Sequence, residues 1–154
     1  PYDAKAPYYL GNLYYDKRQY ALAIEAWETS MKLGSNFPTV CRNLALAYFN
    51  KKDEKVKAME YMERAFQLNQ TDARILMELD QLYKRMCRPH AERLAFLQQY
   101  PELIMQRDDL VLEEITLLNQ KFNVRLLLLV TFNRITYLRY CSGVRTFFIN
   151  FRFP

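Results

Sequence analysis

Residues 6–37 read A-P-Y-Y-L-G-N-L-Y-Y-D-K-R-Q-Y-A-L-A-I-E-A-W-E-T-S-M-K-L-G-S-N-F, and this stretch decides how the rest of the chain is understood. It describes two amphipathic helices folded back on each other. Leu10, Gly11 and Tyr14 share one face of the first helix, and Ala23, Trp27 and Ser30 share one face of the second. The polar connection Asp16–Tyr20 is short enough for a tight helix–helix turn. One such hairpin cannot bury its apolar stripe alone, so copies are expected further along the chain.

The copies are present. Leu44-Ala45-x-x-Tyr48 repeats Leu10-Gly11-x-x-Tyr14 after 34 residues, and Leu79-Asp80-x-x-Tyr83 follows 35 residues later. Ala58, Met62 and Ala65 repeat Ala23, Trp27 and Ser30 at a spacing of 35. The additional residue of the second copy is expected in the polar loop Asn50–Lys55, where an insertion costs little. Pro7 and Pro38 suit the first turns of opening helices, and Gly34 suits a helix C-terminus. Asp80 replaces a small residue and is tolerable there only if its carboxylate reaches water or a partner. The third copy has its second helix from about Pro89-His90, with Leu94, Phe96 and Leu97 apolar, and that helix stops before Pro101. A further helix is predicted over 108–120, N-capped by Asp108, with Asp109, Glu113 and Glu114 loading its start with negative charge.

Composition agrees with an all-α reading. Three glycines and six prolines in 154 residues are too few for a turn-rich β fold. Cys41, Cys87 and Cys141 are odd in number and far apart, which points to a reducing compartment rather than a disulfide framework. With His90 the only histidine and no C-x-x-C pair, neither a metal site nor a cofactor is expected. His90 has no nucleophile or acid in view and reads as a surface residue, and no catalytic motif occurs, so an enzyme is not expected. The longest uninterrupted apolar run, Leu126–Val130, is far below the ~20 residues of a membrane-spanning helix. The opening Pro1-Tyr2-Asp3, without Met or a signal pattern, is what a piece of a longer protein would show.

Charge divides the chain. Residues 1–114 carry 16 Lys/Arg and 17 Asp/Glu, whereas 115–154 carry six basic residues and no acid. The body therefore offers no broad footprint for nucleic acid. Two readings of the basic, apolar segment 121–154 stand side by side: a divergent capping segment, or a non-native tail. A helix over about 123–139 would cover the end of a helical array, and Thr146–Phe151 would pack on the array or on another copy.

The pattern L-G-x-x-Y followed by A-x-x-x-[W/F]-x-x-[A/S], at a period near 34, resembles the tetratricopeptide repeat (TPR). The resemblance implies an α-α superhelix of three hairpins, about 4–37, 38–72 and 73–100, plus the opening helix of a fourth at 108–120. A narrower likeness runs from Asp3 to Gln120. A-P-Y-Y-L-G-N-L-Y-Y-D-K-R-x-Y, F-P-T-V-x-R-N-L-A-L-A-Y-F-N-K and D-A-R-x-L-x-E-L-D-Q-L-Y-K-R look like the TPR region of large bacterial proteins that carry a galactose-mutarotase-like domain of unknown function. That likeness implies a bacterial, cytoplasmic setting, and it fails after Gln120.

The resemblance also implies a concave surface formed by the first helix of each hairpin, where TPR arrays bind extended peptides. Carried onto this sequence, it would be lined by Lys5, Tyr8, Asn12 and Tyr15, then Thr39, Arg42, Asn43, Leu46 and Phe49, then Arg74, Met77 and Glu78. Some TPR domains hold a C-terminal carboxylate with two lysines, an arginine and two asparagines. Asn12 and Asn43 match the asparagines, and Arg74 could replace one lysine. Tyr8 stands where the other lysine belongs and Glu78 where the arginine belongs, so the clamp is incomplete; asparagines here can equally brace neighbouring helices. The resulting expectation is a protein- or peptide-binding module without nucleic acid or membrane partners, self-association through the tail being possible. The competing expectation is a structural spacer packing on its own carbohydrate-related domain or on another copy.

Overall fold

The computed structural model describes residues 3–34 and 36–122, and within them the chain is an all-α TPR solenoid. The helices are α1 (Lys5–Asp16), α2 (Tyr20–Lys32), α3 (Pro38–Ala47), α4 (Lys55–Leu68), α5 (Ala73–Arg85), α6 (His90–Leu97), α7 (Pro101–Ile104) and α8 (Asp108–Phe122). α1/α2 and α3/α4 are closely packed antiparallel hairpins. The expected helix over 123–139 and the packing of 146–151 fall outside the described residues.

Small residues explain the tight hairpins. A Cβ on Gly11 would lie 2.4 Å from Trp27 Cδ1, so the indole of α2 lies directly against the α1 backbone. The equivalent pair in the second hairpin is Ala45 and Met62, both fully buried, a larger residue facing a smaller one. In the third, Asp80 takes the place of Ala45, and Arg93 stands in register with Ala23 and Ala58. Asp80 and Arg93 are 2% and 1% exposed and form a two-pronged ion pair, Nε–Oδ1 3.0 Å and Nη2–Oδ2 2.5 Å. With the Asp80–Arg93 pair between them, α5 and α6 pack less closely than the helices of the first two hairpins, and α6 packs mainly on α8. Burial of those charges is offset by further pairing: Arg93 Nη2 donates to Glu113 (2.7 Å), which also accepts from Lys84 (2.9 Å). Glu113 thus joins α8 to α5 and α6 rather than loading a helix start, and its neighbour Glu114 is buried. Burial pushes the Glu113 carboxyl up, but its bonds to Arg93 and Lys84 outweigh this and hold it below its usual value. Asp108 is the first residue of α8 rather than its cap, and Asp109 pairs with Arg107 (2.7 Å).

The connections repeat as well. Arg18, Asp53 and Cys87 each adopt positive φ, 59°, 54° and 57°, at the end of a first helix. In the first and third hairpins the chain reverses through the same pair of bonds, Arg18 N to Tyr15 O with Gln19 N to Tyr14 O, and Cys87 N to Lys84 O with Arg88 N to Tyr83 O. The second differs. Of the expected polar loop Asn50–Lys55, the first three residues belong to a π-helical turn, Tyr48–Lys52, with only Asp53 and Glu54 left between it and α4, and the closing bond from Glu54 N to Tyr48 O spans one residue more. A π turn takes up one extra residue without breaking the helix, which is how the 35-residue spacing is absorbed. α7 was not expected: Pro101 ends α6's connection and also supplies a favourable first turn of its own.

Two clusters make the core. Ile24, Trp27, Val40, Leu44 and Tyr48 fill the space between the first two hairpins. Met62, Leu76, Leu79, Leu94, Leu97 and Leu117 fill the space from the second hairpin to α8. Among the described residues, no buried polar side-chain atom lacks a hydrogen-bond partner, and no helix is long and apolar enough to cross a membrane.

Candidate functional site

The first helices of successive hairpins, α1, α3 and α5, carry the polar side chains expected to face a ligand. Asn12, Tyr15 and Asp16 of α1, Arg42, Asn43 and Leu46 of α3, and Trp27 of α2 enclose a hollow of about 270 Å³. The structure therefore brings five of the expected residues, Asn12, Tyr15, Arg42, Asn43 and Leu46, to one place.

Asn12 is oriented from below. Trp27 Nε1 donates to its Oδ1 at 3.1 Å. An indole N–H can only donate, so the oxygen of the amide must face it. The same oxygen accepts from Asn43 Nδ2 at 3.3 Å. The pair leaves the Asn12 amide N–H groups and the Asn43 carbonyl oxygen outside this contact, one donor set and one acceptor, which is the requirement for bonding a peptide main chain. Tyr15 packs edge-on against Tyr20 (ring centroids 5.2 Å) and lies 5.6 Å from the Trp27 ring, which fixes the wall of the hollow.

Arg42 is already engaged. Its guanidinium meets Glu78 of α5 by two bonds of 2.5 Å, with both side chains largely covered. Arg74, one turn before Glu78, approaches the same carboxylate with Nε at 3.3 Å while its side chain remains 61% exposed. Two arginines neutralise Glu78, and the cluster carries a net positive charge centred on Arg74. Arg74 does not line the hollow; it borders a separate depression with Asp72 and Arg107. It joins the hollow only through Glu78 and Arg42.

The other expected residues lie apart. Lys5 is exposed at the start of α1, its backbone N–H bonded to Asp3 (2.9 Å). Tyr8 is half-buried against Tyr9 and Phe37, at ring distances of 5.0 and 6.3 Å. Phe49 is packed on the core with the Arg85 guanidinium 5.3 Å from its ring centroid. Thr39 is exposed, and Met77 is packed on the larger core cluster. Asp16 and Trp27 were missed as lining residues. Trp27 reads as pure core because an indole's hydrogen bond cannot be inferred from helical periodicity. Arg93 was missed although a signal existed: it falls 35 residues after Ala58 and 13 after the anomalous Asp80. Among the described residues there is no group of three or more His, Cys, Asp or Glu placed to hold a metal.

No protein-family model matches the chain. Solved structures do. MamA is 18% identical with a TM-score of 0.71, over 92% of this chain and 81% of that one. YrrB, described as a TPR protein with an unusual peptide-binding site, is 19% identical with a TM-score of 0.65, over 92% of this chain and 75% of that one. The first TPR of Spaghetti (RPAP3), bound to the HSP90 peptide SRMEEVD, is 19% identical with a TM-score of 0.63, over 79% of this chain and 94% of that one. At this level of identity the likeness concerns the fold, and that fold is the TPR helical-hairpin array.

Proposed function

We propose that the chain is a non-catalytic peptide-binding module of a larger bacterial, cytoplasmic protein, with its site on the face shared by α1, α3 and α5. The observation that carries the reading is the Asn12–Asn43 pair, held by Trp27 at the floor of an open hollow. Such a pair is set to bond a ligand's backbone before the ligand arrives, which lowers the ordering cost of binding. The peptide complexes and peptide-binding sites named for the Spaghetti and YrrB structures are consistent with this use of the fold. A ligand's main chain would lie across the two asparagines with its apolar side chain against Tyr15 and Leu46. An acidic group, if present, would go to Arg74, whose guanidinium is open to solvent, and not to Arg42, which Glu78 occupies.

A peptide library displayed on phage and selected on the whole chain tests this. Recovered peptides should lose most of their binding to Asn43→Ala. Those with an acidic end should weaken by ~1.5–3 kcal/mol on Arg74→Ala, the range for hydrogen bonds to charged groups. Arg74→Lys should recover only part, since an ammonium lacks the planar fork. Peptides that bind folded Asn12→Ala and Asn43→Ala as they bind the parent would place the site elsewhere.

A further inference from the structure

The face shared by α1, α3 and α5 is not electrically uniform. Two charged side chains line the hollow, Asp16 and Arg42. Arg42 is spent on Glu78. Asp16 is exposed, and among the described residues no hydrogen bond or ion pair engages its carboxylate. Lys17 and Arg18 follow it in the turn without pairing with it, and Lys51 stands over the Tyr20 ring, 4.2 Å from the centroid.

Local preference argues against an acid at this position. Asp16 is the last residue of α1. Aspartate is a weak helix former, and the negative end of the helix dipole disfavours a carboxylate. No partner among the described residues compensates. A local rule broken without an internal gain marks a residue that serves something outside the fold. Beside it, Tyr15 with Tyr20 and Trp27, at ring distances of 5.2 and 5.6 Å, forms an aromatic wall. Long basic side chains lay their apolar stems and their charge along such walls. Beyond the Arg42–Glu78 pair stands Arg74, 61% exposed. From α1 to α5 the charge therefore runs from negative, through a neutral pair, to positive.

We propose that the ligand is a bipolar peptide, with a lysine or arginine in the hollow on Asp16 and an acidic residue on Arg74. This rests on the peptide-binding reading above and adds to it the basic residue and the direction of the bound chain. The side chain against Tyr15 and Leu46 is then the stem of that basic residue. Opposite charges at the two ends fix direction, since a reversed peptide would meet like charge at both. The chain's own residues 115–154 carry six bases and no acid, so they match one pole only.

A random dodecapeptide library displayed on phage and selected on the whole chain should return sequences with a basic residue towards one end and an acidic residue towards the other, always in the same order. Selected in parallel on Asp16→Lys, the library should return an acidic residue in place of the basic one. A selected peptide carrying a fluorophore, titrated by anisotropy, should bind Asp16→Asn about three- to fivefold more weakly, the upper range of an exposed ion pair. Replacing its basic residue by norleucine should cost the same, and both changes together should cost no more than either. The loss should shrink as salt is raised. Asp16→Asn relieves the helix dipole, so its urea midpoint should be no lower than the parent's. A lower midpoint would show a structural role for Asp16 and overturn the inference. Peptides that depend on Asn12 and Asn43 but lack the basic residue, or that bind Asp16→Asn and Asp16→Lys as they bind the parent, overturn the inference and leave the peptide site standing. A selection that returns no peptide, or only peptides that ignore Asn12 and Asn43, overturns both.

Discussion

Replacing Gly11 by alanine should destabilise the protein, against the intrinsic preference of helices. In a solvent-exposed helix that change is favourable by about 1 kcal/mol. Here the new methyl carbon would lie 2.4 Å from Trp27 Cδ1, 2.5 Å from Nε1 and 2.9 Å from Cγ. Ordinary carbon contacts begin near ~3.5 Å, so α1 or the indole must move by about 1 Å. The indole is poorly placed to yield: it is 2% exposed, bonded to Asn12 and flanked by the Tyr15 ring. Overpacking of a closed core costs ~1–3 kcal/mol, and this contact belongs at the upper end. Losing the indole–Asn12 bond adds about 1 kcal/mol. Less the helix-propensity gain, the net loss is about 2–3 kcal/mol. At a urea dependence of about 2 kcal/mol per molar, the midpoint should fall by roughly 1 M. Trp27 is the only tryptophan, so its fluorescence reports the perturbed site directly, with far-ultraviolet circular dichroism as the global probe. Gly11→Ala combined with Trp27→Met copies the Ala45/Met62 pair and should recover most of the loss, read by circular dichroism alone. A single variant with an equal or higher midpoint, at unchanged slope, would refute the close approach of α1 to the indole.

Three further outcomes are expected. Asp80→Ala leaves the Arg93 guanidinium buried without its main partner and should cost ~3–5 kcal/mol, whereas Asp80→Ala with Arg93→Met should lie within about 1 kcal/mol of the parent; equal losses in the two, by urea denaturation, would contradict the account of the third hairpin. Tyr83 is pushed up to about 12, first by burial and then by the neighbouring Glu63 carboxylate. A raised folded-state value means that its contribution to stability is complete below the ordinary value of 10.0 and is lost as pH rises through about 12, so tyrosinate absorbance should show this group titrating with alkaline unfolding and not before it. Glu113 is the acid-side counterpart: its value is depressed from 4.5, so its contribution is present above that pH and is lost as pH falls below it, and the pH dependence of the urea midpoint should flatten in Glu113→Gln.

The sequence by itself determined the architecture because the signals were periodic. A motif copied at 34 and 35 residues, with small residues facing large ones, permits few packings, and Gly11 beside Trp27 satisfies that pattern at contact distance. It also set a condition on Asp80 without naming the partner. Only the tertiary structure supplied Arg93, since a pairing between two helices depends on their separation and rotation and not on the spacing within either. The same holds at the candidate site. Motif register placed Asn12, Tyr15, Arg42 and Asn43 on one surface, and three dimensions brought them around one hollow. What register could not express was occupancy: Arg42 is spent on Glu78, Tyr8 and Phe49 are committed to packing, and Arg74 stands in a separate depression. Side chains that reach across helices are settled by distance and competition among partners, and those exist only once the helices have been brought together.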